Sequence, residues 1–253
     1  MRSLFLKYGK NIGPLDTYKK NDHSQNGEDG VINEIFTRIG LNGLNSMWVV
    51  EFGAWDGVHL SNTFALVERG ANAVFIEGDA DKYKDLLSIT KKFPKIVPVN
   101  KFVGYEIDSE NKLDEILAEV IGLPFDFELL SIDIDSFDLE VWETLQRYKP
   151  KIVIIEINSS IPVGVESKHS LTNRGGSFTS ALMIGECKGY KLVSHIGNLI
   201  FVRADLIEKL QIEDQYITNQ ELLFNDFWSN MSIAVKFFDW STSFVWKKIL
   251  KRN

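Results

Sequence analysis

Five short β-rich runs, separated by stretches of helical periodicity, limit the fold of this chain more than any other feature. Apolar residues recurring every three or four positions mark one face of a helix, and short Val/Ile/Phe-rich runs mark strands. The pattern predicts a first helix at Glu28–Ile39, with Val31, Ile32, Ile35, Phe36 and Ile39 on one face, Ser24 as its cap and Gly40 as its stop. Strands are predicted at Trp48–Phe52, Ala73–Glu77, Ile96–Val99, Glu128–Ile134 and Lys151–Ile157. Helices at about Asn62–Glu68, Ala80–Lys92, Lys112–Ile121 and Leu139–Tyr148 connect them, with Gly70, Pro94 and Pro150 as breakers. A helix from Phe178 to Lys188 then leads to strands Lys191–His195 and Asn198–Arg203, a hairpin turning at Gly197.

Successive β–α–β units with right-handed crossovers give a mainly parallel sheet covered on both faces. The runs VVEF, FIEG, LLSID and IVIIEI suit such a buried sheet. The expected fold is therefore α/β and Rossmann-like: a seven-stranded, mostly parallel sheet in the order 3-2-1-4-5-7-6, with helices on both faces. We place the catalytic unit at residues 25–205, an N-terminal extension at 1–24 and an aromatic, basic C-terminal extension at 206–253. At 253 residues the chain buries a core without staples. Its single cysteine, Cys187, excludes a disulfide framework and a multi-Cys zinc site, and fits a reducing, cytoplasmic compartment. Cys187 is expected to pack within the helix before the hairpin.

The net charge of −7 is unevenly spread. Residues 1–20 set five basic side chains against Asp16, and residues 231–253 set Lys236, Lys247, Lys248, Lys251 and Arg252 against Asp239, so the middle holds the whole acid excess. An acidic body repels phosphates, which argues against nucleic acid as a partner. The basic ends read as solvated segments, as a homodimer contact, or as weak attachment to an anionic surface. Met231–Asn253, with Phe237, Phe238, Trp240, Phe244 and Trp246, reads first as a final element packed on the domain. The apolar runs are strand-length, so no transmembrane segment is expected.

In an open α/β sheet, ligands bind beyond the carboxyl ends of the strands, where the strand order reverses. Strand one ends in Glu51-Phe52-Gly53-Ala54-Trp55-Asp56-Gly57, whose two glycines permit a tight turn and close approach to a ligand. Its acids suit an ammonium group and repel phosphate, and it is not G-x-G-x-x-G. Strand two ends in Glu77-Gly78-Asp79, where a carboxylate can accept both hydroxyls of a ribose. Strand four ends in Asp133, Asp135 and Asp138. By strand periodicity the first two share a side, and the third reads equally as a helix cap. General base, metal ligand and substrate anchor are all open to them. Strand five delivers Glu156 and Asn158 to the same rim. The long polar loop Ser159–Ser177 reads as a functional lid or a disordered segment, with His169 and Arg174 able to bind an anionic or polyhydroxylated acceptor.

VVEFGAWDG, FIEGD and LLSIDID together resemble class I S-adenosylmethionine-dependent methyltransferases over about Gln25 to Arg203. SQNGEDGVI, EFGAWDGVHLSNT, SIDIDSFDLEVWE and KPKIVIIEIN are similar, more narrowly, to FkbM-like methyltransferases of surface-polysaccharide and natural-product genes. The resemblance implies S-adenosylmethionine as cofactor, with Gly53, Ala54, Asp56 and Gly57 shaping its loop and Glu51 facing the methionine ammonium. It implies Glu77 and Gly78 at the ribose, Asn100 and Lys101 near the adenine, and Asp133 beside the transferred methyl. Asp133, Asp135 and His169 are then the catalytic candidates, and Asn158 and Arg174 the substrate-binding ones. The implied reaction is methyl transfer to a hydroxyl or phosphate oxygen of a sugar, glycan precursor or phosphorylated small molecule, in capsule or natural-product biosynthesis. Some related sugar O-methyltransferases hold a divalent metal on strand-end carboxylates. Asp133, Asp135 and Glu156 would supply those oxygens, but Glu156-Ile157-Asn158 stands where an adjacent Asp pair is expected, which argues against metal dependence. Methyl transfer to nitrogen or protein, a nicotinamide oxidoreductase and a non-catalytic binding module are the competing classes.

Overall fold

The computed structural model describes residues 12–41, 43–106, 110–170 and 174–229. The aromatic, basic stretch Met231–Asn253 and loop residue Asn173 therefore lie outside the described residues. Helix α1 spans Glu28–Ile39, β1 Trp48–Phe52, α2 Phe64–Glu68, β2 Asn72–Ile76, α3 Ala80–Thr90 and β3 Ile96–Val99. They are followed by α4 Leu113–Ala118, β4 Leu129–Ile132, α5 Asp138–Thr144, β5 Ile152–Ile155, α6 Phe178–Cys187, β6 Tyr190–Ile196 and β7 Asn198–Arg203. Two short helices, α7 Ile207–Leu210 and α8 Asp214–Thr218, come next. The strands form one sheet in the order β3-β2-β1-β4-β5-β7-β6. The first five are parallel, and β7 runs antiparallel to both β5 and β6.

Alternate residues of each strand enter two different cores, as a two-residue period requires. Val50, Phe52, Val74, Leu130 and Ile155 pack with α4, α5 and α6 on one face. Val49, Ala73, Phe75, Leu129 and Ile154 pack with α1, α2 and α3 on the other. Fully burying one such side chain contributes roughly 1.5–3 kcal/mol. The α1 stripe predicted from spacing is buried throughout. Gly40 ends the helix at φ +81°, where a side chain would be strained. Ser24 does not sit at the N-cap, which is Gly27, but its Oγ accepts the Asp29 N–H at 3.1 Å.

Residues on both sides of 25–205 join this core. Leu15, Leu206 and Leu210 are buried beside Val31, and the buried carboxylate of Asp16 accepts the Ile12 and Gly13 N–H groups and the Ser194 hydroxyl.

Several elements are shorter than their sequence pattern, each for a visible reason. Strand β4 stops at Ile132, not Ile134, because the Asp138 carboxylate takes the N–H groups of Ile134 and Ser136 out of the ladder. Asp133 and Asp135 therefore do not share a strand face, and Asp135 turns the chain at φ +57°. Strand β5 likewise ends at Ile155, where Glu156 N makes the last ladder bond to Ile132 O. Helix α2 starts at Phe64, not Asn62, because Ser61 Oγ accepts the Thr63 and Phe64 N–H groups. Helix α5 ends at Thr144, not Tyr148, because Asp114 captures the N–H groups of Gln146 and Arg147. Cys187 lies in α6 as expected, but it is exposed, not packed. No helix among the described residues is long and apolar enough to cross a membrane.

Candidate functional site

Register places the site. Phe52 pairs with Ile76 and Ile132, and Ile132 pairs with Ile155, so the residues just beyond four strands emerge along one edge. There Gly53, Glu77, Asp133 and Glu156 follow β1, β2, β4 and β5. At the reversal between β1 and β4 the two chains nearly touch: a Cβ on Gly53, which has φ +74°, would overlap the carbonyl oxygen of Asp133.

The loop after β1 is a built turn. Gly57 N–H donates to Ala54 O at 2.7 Å, and Trp55 between them has φ +49°. Asp56 Oδ1 accepts the N–H groups of Val58 and His59, so this acid braces the turn. The Ala54 methyl is buried in the core, and a Cβ on Gly57 would press on Leu86 at 2.9 Å and Phe75 at 3.0 Å. Glu51 is buried, and its carboxylate accepts Ser61 Oγ (2.6 Å), Thr63 Oγ1 (2.5 Å) and Asn62 N (3.1 Å). Burial raises its pKa against those bonds.

Glu77 ties the loops of β1 and β2 together. One oxygen accepts Trp55 N–H at 2.9 Å and the other Asp79 N–H at 2.8 Å. Beyond Gly78, Asp79 caps α3 by accepting the Asp81 and Lys82 N–H groups, which, with little help from nearby lysines, lowers its pKa. After β3, Asn100 Nδ2 donates to Glu77 O and Gly78 O. The Lys101 ammonium turns away and pairs with Glu119 at 2.7 Å, leaving the backbone of this turn beside the edge. Two aromatic side chains missed by the sequence reading stand here. Trp55 is 43% exposed, with Lys82 over its ring at 5.4 Å. Phe102 is 73% exposed and lies so close to Gly78 that a Cβ there would overlap its ring. Loop aromatics in an apolar-rich sequence look like core until their exposure is known.

The acids beyond β4 and β5 form an electrostatic unit. Burial, then repulsion from Asp138, Asp135, Glu51 and Glu28, lifts the pKa of Asp133 to about 8. Burial, then Asp133, Asp135 and Asp138, lifts Glu156 to about 9, with Arg174 opposing. Asp138 is raised by burial while holding the loop N–H groups, so it neither caps α5 nor faces a ligand. Glu28 was not singled out from sequence. It is fully buried at the start of α1, accepts Asn26 N–H at 2.7 Å, and burial lifts its pKa to about 7. Its approach to Asp133 spans some hundred residues of chain, which no local pattern discloses.

The described residues of the loop at 159–177 are anchored at several points. Asn158 N–H bonds Gly176 O, its Nδ2 bonds Arg174 O, and its Oδ1 accepts from Ser160. His169 donates its backbone N–H to Glu140 Oε1, and its Nδ1 accepts the Gly175 N–H at 3.2 Å. Its ring packs on Phe137 at 4.4 Å, and Phe137 stacks on Tyr105 at 4.7 Å, giving the edge an aromatic wall beside the acids.

Among the described residues no group of three His, Cys, Asp or Glu side chains is arranged to hold a metal ion. Asp133, Asp135 and Glu156 do not form such a group.

No family model matches the chain, and no curated protein matches it. Among solved structures it is similar to a SAM-dependent methyltransferase from Aquifex aeolicus (16% identity, 67% of this chain and 86% of that one, TM-score 0.40). It is also similar to a precorrin-6y C5,15-methyltransferase from Geobacter metallireducens (15% identity, 75% and 96%, TM-score 0.42). A third is the N-terminal domain of EvdMO1, in the presence of SAH and D-fucose (12% identity, 78% and 89%, TM-score 0.43). All three scores lie below 0.5, so the fold rests on the strand order and register described above.

Proposed function

We propose that the chain is an S-adenosylmethionine-dependent methyltransferase. The observation that carries this reading is the set of carboxyl groups gathered beyond β4 and β5, beside the end of β1 where the strand order reverses: burial first, and neighbouring carboxyls second, raise the pKa values of Asp133 and Glu156. Like-charged carboxyls hold their protons until a cation relieves the repulsion. A sulfonium cofactor brings that positive charge, and the absence of a phosphate-binding glycine pattern disfavours a dinucleotide. VVEFGAWDG, FIEGD and LLSIDID, quoted above for the family, each run out of a strand onto this edge.

When bound, S-adenosylmethionine supplies an electrophilic methyl group on sulfur. The chain's own residues then have separable tasks. Gly53 and Gly57 keep the β1 loop open to a ligand, and Glu77 fixes that loop while offering its remaining lone pairs to ribose hydroxyls. The Asn100–Lys101 backbone and Phe102 border the adenine side. Asp133, neutral on its own, would ionise beside the cation and accept the proton of an attacking hydroxyl. Because Nδ1 of His169 accepts the Gly175 N–H, the neutral ring carries its proton on Nε2. His169 therefore orients the acceptor oxygen as a donor, and Asp135 is the second base candidate. Asn158 holds Arg174 on the acceptor side.

We infer an oxygen acceptor of the polyhydroxylated class, a sugar or glycan precursor, because donors (His169 Nε2, Arg174) and carboxylates share one rim. A cytoplasmic place follows from the lone cysteine. Calorimetric titration with S-adenosylhomocysteine and with NAD tests the cofactor. Saturable binding of the first alone is expected, and binding of NAD alone overturns the reading. Transfer of labelled methyl from S-adenosylmethionine to a panel of sugars and sugar phosphates tests the acceptor.

A further inference from the structure

A second concavity lies away from the strand ends, between α5 and α6, with a volume of about 540 Å³. That is within the range of small-molecule sites. We propose that this cleft binds a small molecule joining an apolar body to one anionic group. Leu145, Met183 and Ile184 give it an apolar surface, and Met183 is 48% exposed, unusually so for a thioether on a packed helix. Lys149 and Lys188 mark one end. Lys188 donates to Leu145 O at 2.6 Å and Glu143 O at 3.2 Å, which holds its ammonium at the end of α5. Burial lowers its pKa, and Lys149 pushes the same way against the pull of Asp114 and Glu143. Lys149 itself has no ion pair among the described residues. A cationic end made by Lys149 and Lys188 beside an apolar surface suits an anion.

The acids on the wall do not cancel this charge. Glu143 is engaged by Lys168, and Glu166 is exposed on the loop beyond. Trp142 stands in the wall, and its buried indole N–H has no acceptor among the described residues. A buried donor left unpaired is unfavourable, and a ligand oxygen reaching it on slight repacking would satisfy it. Lys168 in this wall directly precedes His169, so an occupant would touch the loop that borders the candidate active site.

The test titrates the full chain with 8-anilinonaphthalene-1-sulfonate, an apolar anion that brightens on burial, and with the uncharged N-phenyl-1-naphthylamine. One saturable site is expected for the anion, with at least tenfold weaker binding of the neutral probe. Lys149→Glu and Met183→Glu, both at exposed positions, should each weaken the anion at least fivefold, and S-adenosylhomocysteine should not displace it. Equal affinity for the two probes, unchanged affinity in both variants, or displacement by S-adenosylhomocysteine would overturn the proposal.

Discussion

Gly53 meets the carbonyl oxygen of Asp133 with no room for a Cβ between them, and this contact sets the width of the crevice at the point where the sheet reverses. Its φ of +74° adds a second demand for glycine. Gly53→Ala must push the loops of β1 and β4 apart. We expect at least tenfold weaker binding of S-adenosylhomocysteine by calorimetry, equivalent to about 1.4 kcal/mol. Wild-type affinity in this variant would show that the contact does not shape the cofactor site.

Glu77 has two roles that one variant can separate. It accepts Trp55 and Asp79 N–H groups, so Glu77→Ala removes two half-buried hydrogen bonds and should cost on the order of 1–2 kcal/mol of stability. If it also holds the ribose, wild type should bind a 2′,3′-dideoxy analogue of S-adenosylhomocysteine about tenfold more weakly than the parent, and Glu77→Ala should bind the two alike. Discrimination that survives in the variant would leave Glu77 as a loop brace only.

The strand order was legible because apolar runs of strand length and their Gly and Pro breakers are local signals. What escaped was decided by competition for backbone groups at element ends. Asp138 wins the Ile134 N–H from the sheet, Asp114 ends α5 from another helix, and Ser61 delays α2. The residues of the candidate site were named largely because they follow strands, and the edge gathers them. Glu28, Phe137, Trp55 and Phe102 were given no part in the site, because proximity across the chain and exposure of an aromatic ring are tertiary properties.

The raised carboxyls predict a proton linkage that depends on cofactor charge. At pH 6 Asp133 and Glu156 hold protons, and near pH 9 Asp133 has largely released its proton and Glu156 about half of its own, given pKa values of about 8 and about 9. A sulfonium prefers the ionised pair, whereas the uncharged sulfur of S-adenosylhomocysteine has no such preference. Affinity for S-adenosylmethionine should therefore rise between pH 6 and 9, with that for S-adenosylhomocysteine rising much less. Calorimetry at pH 7.5 in two buffers of different ionisation enthalpy should show proton release with the sulfonium. Parallel pH profiles for the two ligands would remove the acid cluster from sulfonium recognition.

The same carboxyls make the empty site a burden on stability. Glu156 is raised from its ordinary 4.5 to about 9, so in that window the folded chain keeps a proton that the unfolded chain has released. Stability from this group is present in full below about pH 4.5 and is lost as pH rises through 9, at up to about 1.4 kcal/mol per pH unit for each proton. Because Glu156 and Asp133 repel each other, the protons belong to the pair. Glu156→Gln cannot ionise, so the variant should lose less stability than wild type between pH 6 and 9. Urea unfolding at several pH values measures this directly. Identical slopes for the two proteins would mean that Glu156 is ionised in the empty site, and the charge repulsion inferred there would have to be abandoned.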